Sequence, residues 1–453
     1  MKEHYLWEVE DQPKEKTVEQ NLTTDILIIG GGITGISVAF SLRNSKYKIT
    51  LVDQNQCGHG VTLRTTGKLT YLQDDIYSKL TKAYDKETSY LYFKSQQEAI
   101  QIAKDNIETY HIDCDFQELD SYLFVTDSKN EKKLEQEKEI LQSFTEVEEN
   151  EKLPIAFPIE KAIQIKNTAV FHPLKYLLSL KKICKEAGIS FYEDTMIEEI
   201  TPKDNYFIAS TGKHKIKAKQ VVVCCHYPSF VIPFFTPFKT YLEKSYIGVV
   251  PNTKKEKISA INLDSDVYSF RSHKNYLLFL SETHKLSDDV DYLEKEQNLK
   301  KKIEDHCQEQ PLYLWSNYDL MTNDYLPFIG RIDEKHPNLY LATGFNTWGM
   351  TNGILSGKII ADLILEQKNP YIDLFKPTRS INMTKLKNDI VNDLNTAKIF
   401  AQTKVKKNYD FYGGNAKIVT RNGQKCGVYI DKDGKEQSRR PSGLRKTTLE
   451  TNS

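Results

Sequence analysis

Residues 25–53, DILIIGGGITGISVAFSLRNSKYKITLVD, read as strand, tight turn, helix and strand. That order constrains the fold more than any other stretch of the chain. Asp25 to Ile29 is a short apolar run rich in β-branched residues, the composition of a parallel strand buried on both faces. Gly30, Gly32 and Gly35 then fit Gly-x-Gly-x-x-Gly. The first glycine allows the turn, the second lets a pyrophosphate approach the backbone, and the third lets helix and strand pack closely. The anion would rest on the helix N-terminus, around Ile33 and Thr34, where unpaired N–H groups and the macrodipole favour negative charge. Helical spacing continues through Ile36, Ala39, Phe40 and Leu42, and Lys48–Val52 forms a second strand that ends at Asp53. A carboxylate there accepts hydrogen bonds from a ribose and repels a 2′-phosphate, which favours FAD or NAD over NADP. An ordinary Gly-rich turn would lack the second strand and its acid. The fingerprint alone does not choose between FAD and NAD.

Composition sets the outer limits. A chain of 453 residues and 52.4 kDa can form two or three domains with a substantial core. Its 62 basic and 62 acidic residues cancel, so no global field points to nucleic acid or an anionic membrane. No apolar run reaches membrane-span length, and the start, MKEHYLWEVEDQPKEK, lacks the apolar core of a signal peptide, so a cytoplasmic location is expected. The 7 cysteines, at 57, 114, 184, 224, 225, 307 and 426, are scattered and match neither a disulfide framework nor a zinc pattern. Cys224 and Cys225 are adjacent on an apolar strand and read as core.

Residues 1–24 read as an arm that Tyr5, Leu6 and Trp7 pin to the body. After Asp53 comes CGHGVTLRTTGKLT, residues 57–70, a loop of small and hydroxyl residues carrying Arg64 and Lys68. Far downstream, NLYLATGFNTWGMTNGILSGKIIADLILEQ reads as a buried strand, a sharp exit at Gly344 and a helix from about Thr351. Such a helix start aims N–H groups at developing negative charge. Together these segments resemble the D-amino-acid-oxidase-like family of FAD-dependent oxidoreductases, which includes glycine and sarcosine oxidases. Within it, the chain looks most like bacterial members with a Gly-Val-Thr-x-x-Thr-Thr-Gly-Lys-like loop and a C-terminal Rieske domain. The resemblance spans about residues 20–375 in motif order.

The resemblance implies FAD, with residues 58–70 beside the flavin. Cofactor contacts would then come from Gly30, Gly32, Ile33, Thr34, Gly35, Asp53, Thr65, Thr66, Gly67 and Lys68, and from Gly344, Trp348, Gly349, Met350 and Thr351. No second Gly-x-Gly-x-x-Gly exists for a separate NAD, which disfavours a two-dinucleotide reductase. Arg64 and Lys68 are candidate contacts to flavin or substrate, with solvated loop cations as the alternative. Arg271, followed by Glu282-x-His284-Lys285, is a candidate to grip a substrate carboxylate, with surface ion pairing as the alternative. His172, next to a proline at a helix start, reads as a local hydrogen-bonding residue rather than a general base. Related oxidases carry an oxygen-activating lysine on a substrate-domain strand. Tyr276–Leu280, the matching stretch, has none, so slow reaction with oxygen is expected and the electron acceptor stays open.

The tail reads differently. Residues 376–411 have a polar helical pattern, and Lys417–Ile430 resembles the opening hairpin of a Rieske domain, turning at Asn422-Gly423 with a second turn at Asp433-Gly434. A Rieske cluster needs two cysteines and two histidines, whereas the chain has no histidine after His336 and only Cys426 after Cys307. The expectation is a truncated, partly disordered remnant without an iron-sulfur cluster, consistent with a reading-frame change near Glu436.

The expected fold class is α/β: a Rossmann-like FAD-binding domain, a mostly antiparallel (α+β) substrate domain and a short C-terminal remnant. The domains would be an arm (1–24), an FAD-binding domain (25–74, 151–230 and 321–375), a substrate domain (75–150 and 231–320), a helical linker (376–411) and the remnant (412–453). The expected activity is oxidation of the C–N bond of an amine or amino acid by hydride transfer to flavin N5, with FAD held non-covalently. The alternative is a flavin-binding or degenerate protein without turnover. Neither a nucleic-acid partner nor a membrane span is expected.

Overall fold

The computed structural model describes residues 5–10, 12–228 and 240–379, and the backbone of 416–421, 424–430 and 436–439. Two compact units divide the chain, Met1–Lys387 and Asn388–Ser453.

The first unit holds two large sheets. In one, Ser190–Tyr192, Ile49–Val52, Leu22–Ile29, Lys215–Val223 and Leu339–Thr343 lie side by side and parallel, and Phe328–Arg331 closes the edge antiparallel. Their core residues, including Leu27, Ile28, Leu51, Val222 and Leu341, are buried, as continuous apolar strands covered on both faces must be. From Leu22–Ile29 the chain runs through helix Ile33–Leu42 to Ile49–Val52 on one side, while Lys215–Val223 pairs on the other. The crevice between Leu22–Ile29 and Lys215–Val223 is therefore the switch point at which such sheets bind ligands.

The second sheet is ordered Tyr313–Thr322, Thr240–Pro251, Tyr276–Lys285, Ser269–His273, Ser259–Asn262, Ser121–Val125, Lys161–Ile165, Glu148–Asn150. All neighbours are antiparallel except Ser259–Asn262 with Ser121–Val125. Helix Tyr292–Cys307 covers its outer face, burying Leu299 and Ile303 with Tyr246, Phe270 and Phe279. A Cβ on Gly248 would meet Ile303 Cδ1 at 2.3 Å, so the helix rests directly on that strand. The mixed α/β class with two sheets is the one expected from the sequence.

Several details depart from the sequence reading. Lys161–Ile165, within the stretch 151–230 expected in the FAD-binding domain, pairs with Ser121–Val125 in the second sheet. Cys224 and Cys225, read as lying on an apolar strand, fall just past the end of that strand, which runs from Lys215 to Val223. The strand beginning at Tyr276 continues to Lys285, five residues beyond the stretch read from the sequence, and Lys285 Nζ lies over the Tyr241 ring at 4.5 Å.

In the second unit, Ala416–Arg421, Gln424–Ile430 and Glu436–Arg439 form an antiparallel sheet, so a third strand joins the expected two. The turns at 422–423 and 433–434, most of the expected linker and everything after residue 439 lie outside the described residues. Among the described residues, no helix is long and apolar enough to cross a membrane.

Candidate functional site

The glycine fingerprint is built by close approach. Gly30 has φ +110°, and a Cβ there would meet the Cys224 carbonyl oxygen at 2.7 Å, so only glycine fits the turn between the two central strands. A Cβ on Gly35 would lie 1.8 Å from the Gly30 oxygen. Gly32 differs. Its φ is an ordinary −76°, and an added Cβ would meet nothing nearer than the Thr62 hydroxyl at 3.3 Å. The fold does not require glycine there, whereas a ligand drawn against the backbone does. Asp53 faces the same turn: its carboxylate accepts from Gly31 N–H at 2.6 Å and from Asn55 N–H at 2.7 Å. Burial nevertheless raises its pKa. Thr62 Oγ1 accepts from Ile33 N–H at 3.0 Å, which brings the loop after Asp53 over the first helical turn, beside the buried Thr34.

The second glycine segment converges on the first. Gly344 exits its strand with φ +72°, and helix Gly349–Ile364, with Trp348 at its N-cap, begins two residues earlier than the sequence suggested. Gly353 and Gly357 face helix Ile33–Leu42: an added Cβ would meet Thr34 Oγ1 at 3.0 Å and the Ser37 backbone at 2.6 Å. Two helices crossing on glycines bring their N-termini together. The N–H groups of Gly349, Met350 and Thr351 have no acceptor within their own helix. Thr351 and Asn352 are buried and locked in place, as Gln73 donates to Thr351 Oγ1 at 3.3 Å and Gln96 to Asn352 Oδ1 at 2.9 Å.

The loop at 57–70 lies between this assembly and the second sheet, tied to the N-terminal arm. Trp7, fully buried, donates from Nε1 to Thr65 O at 2.7 Å. Glu193 holds both segments, accepting from Glu15 N–H and Cys57 N–H at 2.9 Å each, while Lys181 neutralises it at 2.7 Å.

The candidate cations take specific positions. Arg64 Nε donates to Tyr5 OH at 3.1 Å, and Arg64 O accepts from Trp315 Nε1 at 3.0 Å. Lys68 is buried, its Nζ donating to Ala260 O at 2.7 Å and Ser269 Oγ at 2.6 Å, and burial pushes its pKa down to about 7. It fastens the loop to the second sheet. Arg271 is fully buried: Nη1 donates to Thr66 O at 2.5 Å, Nη2 to Phe171 O at 2.7 Å, and the Trp7 ring stacks on the guanidinium at 4.6 Å. Its fork is filled by the chain's own carbonyls, around Gly67 with φ +71°, and so differs from the expected carboxylate grip. His172 caps helix Pro173–Glu186, its Nδ1 accepting from Lys175 N–H at 3.3 Å, the local role the sequence suggested.

One residue the sequence reading passed over is His226, just beyond the carboxyl end of Lys215–Val223 at the switch point. Burial lowers its pKa to about 4, its ring bonds the Tyr318 backbone, and among the described residues its buried Nε2 has no hydrogen-bond partner. A neutral imidazole with a free lone pair is an acceptor waiting for a hydroxyl. With the open cradle at Gly32 and the two converging helix starts, it makes the crevice fit a dinucleotide.

Comparison with known proteins agrees. Residues 25–363 match the family model DAO, FAD dependent oxidoreductase, and the chain belongs to that family. The chain is 29% identical over 435 residues to YhfW of Bacillus subtilis (strain 168), named for a Rieske 2Fe-2S iron-sulfur protein, covering 94% of this chain and 86% of that one. It is 24% identical over 400 residues to gamma-glutamylputrescine oxidoreductase of Escherichia coli (strain K12), covering 77% and 85% of the two chains. Its fold is similar to glycine oxidase from Geobacillus kaustophilus, with TM-score 0.68, 18% identity and coverage of 80% and 100%.

Proposed function

We propose that this FAD-dependent oxidoreductase oxidises the C–N bond of an amine or amino acid. The observation that carries the reading is the meeting of two glycine-bearing helix starts at the switch point, facing a second sheet that can close over a substrate. The names of the similar enzymes, a gamma-glutamylputrescine oxidoreductase and a glycine oxidase, support an amine or amino acid as substrate. Bound FAD supplies a two-electron acceptor for the hydride that leaves the carbon bearing nitrogen. The nitrogen lone pair then forms the C=N bond, and water hydrolyses that imine to an oxo product and ammonia or an amine.

The residues divide the work. Gly30, Gly32, Ile33, Thr34 and Gly35 would hold the pyrophosphate, Asp53 a ribose, and His226 Nε2 a sugar-chain hydroxyl. The Gly349–Thr351 turn would stabilise negative charge on the reduced ring. Thr65, Thr66, Gly67 and Lys68 would line the flavin, with Lys68 fixing the distance from loop to sheet through its two hydrogen bonds. The FAD-binding domain would comprise 25–74, 151–230 without Lys161–Ile165, and 321–375. The test is anaerobic addition of a panel of amines and amino acids to the FAD-loaded protein. Bleaching of the yellow colour with formation of a carbonyl product supports the reading; a panel that binds without bleaching supports a non-catalytic flavoprotein.

FAD is held without a covalent bond in this account. Cys57 is buried with its thiol pKa raised, and His59 is engaged with Gln12 at 3.0 Å, so neither is poised as an attachment point. Acid denaturation is expected to release all colour to the supernatant, and colour that stays in the precipitate rejects it. Residues 376–453 are also expected to hold no Rieske cluster, because they contain one cysteine and no histidine. Iron and acid-labile sulfide in stoichiometric amounts would overturn that.

A further inference from the structure

The second sheet turns one face toward the loop at 57–74. Trp315, Asn317, Asp319 and Met321 alternate onto that face, with Trp315 donating to Arg64 O at 3.0 Å. At the far end of the same strand Thr322 N–H donates to Asn346 Oδ1 at 2.6 Å, and a Cβ on Gly344 would meet Thr322 at 2.6 Å. The strand is thus stapled to both flavin-side loops, and Asn317 and Asp319 lie between the staples.

Across the ladder Asp319 pairs with Glu243, and Asn317 with Ser245. Two carboxylates therefore sit directly opposite on one face, an arrangement that is destabilising unless a cation joins them or one of them keeps its proton. Both are half-buried, so part of each remains accessible. Among the described residues neither has an ion-pair partner, in a molecule whose surface carboxylates are widely paired. Lys285, the neighbour of Glu243 on the adjoining strand, places its Nζ over the Tyr241 ring at 4.5 Å.

Asn317 supplies a separate indication. It is 6% exposed, its Nδ2 leans on the Asp319 carboxylate at 3.5 and 3.4 Å, and among the described residues its buried Oδ1 has no donor. A carboxylate pair and an orphaned amide oxygen form a set of acceptors that lacks only a donor with positive charge.

We propose that Glu243, Asp319 and Asn317 form a subsite for a protonated amino group, so that the substrate is a diamine or another amine with a second, non-reacting cation. The proposal rests on the amine-oxidation reading and narrows its substrate class. The cation held here is not the reacting nitrogen. Carboxylates stabilise an ammonium in its charged form, whereas hydride loss needs the nitrogen lone pair free.

Burial and the neighbouring Glu243 raise the Asp319 pKa to about 7, and burial with the Asp74 charge raises that of Glu243. The other charged groups facing the pair are Lys285 at the end of the adjoining strand, Asp288 just past it and Lys79 on helix Ile76–Ala83. A group that must ionise to bind a cation binds it better above its pKa. Diamine affinity therefore rises as pH passes upward through about 7, while the ligand, titrating near ~10, remains charged.

Calorimetric titration of the FAD-loaded protein with putrescine and cadaverine, against butylamine, pentylamine and γ-aminobutyrate, tests the subsite. At least one diamine should bind about tenfold or more tightly than its monoamine, and γ-aminobutyrate should bind weakest. Asp319→Asn and Glu243→Gln should erase the diamine advantage while retaining FAD. Equal binding of diamine and monoamine, or an advantage that survives both substitutions, overturns the subsite without touching amine oxidation. Diamine binding with the predicted advantage but no bleaching keeps the subsite and overturns amine oxidation.

Discussion

Gly35→Ala should prevent stable folding, whereas Gly32→Ala should leave a folded protein that binds FAD more weakly. The contrast follows from what each Cβ would meet. At Gly35 it would lie 1.8 Å from the Gly30 backbone oxygen, where neither helix nor strand can yield, and overpacking of this kind destabilises by about 3 kcal/mol or more. At Gly32 the only near neighbour is a hydroxyl at 3.3 Å, but the new methyl group would fill the approach used by the pyrophosphate. Losing one charge-assisted contact to the backbone weakens FAD binding by about 2 kcal/mol, or roughly 30-fold. Thermal unfolding and flavin content, measured on both variants, separate the outcomes. A Gly32→Ala protein that keeps FAD at wild-type affinity would contradict the assignment of the crevice.

The second large effect is expected at Trp7. Trp7→Ala should destabilise the protein by about 3–5 kcal/mol, the usual range for emptying a buried tryptophan site. Its ring packs edge-on against His172 at 5.1 Å and His273 at 4.9 Å and covers Arg271 at 4.6 Å. Removing it uncovers a buried guanidinium whose Nε lacks a partner among the described residues, and frees Thr65 O, so the loop at 57–70 loosens as well. Denaturation midpoints and FAD dissociation rates should both worsen. Trp7→Phe should recover most of the stability but not the hydrogen bond to Thr65. An alanine variant as stable as wild type would show that the arm is dispensable.

What could be read from the sequence was local. The strand, turn, helix and acid from Asp25 to Asp53 announce themselves through periodicity and spacing, and so does the segment around Gly344. Features that depend on register were hidden. Glu243 and Asp319 are far apart in the chain, and only the pairing of their strands brings them face to face. His226 gained meaning only from strand order, which places the end of its strand beside Gly30. Arg271 was visible as a candidate, but its partners are backbone carbonyls, which no residue pattern displays. Helix Tyr292–Cys307 buries only Leu299 and Ile303, too narrow a stripe to stand out among its charges. Strand Ser259–Asn262 is 4 residues long, short of a readable alternation.

The central claim is that hydride leaves a carbon bonded to nitrogen. Its most direct measurement is the anaerobic rate of flavin bleaching by the best amine of the panel, compared with the same amine carrying deuterium on that carbon. The account predicts several-fold slower bleaching with the deuterated amine and one carbonyl product per flavin reduced. Equal rates without a carbonyl product, or no bleaching by any amine under conditions where binding is saturated, would contradict it.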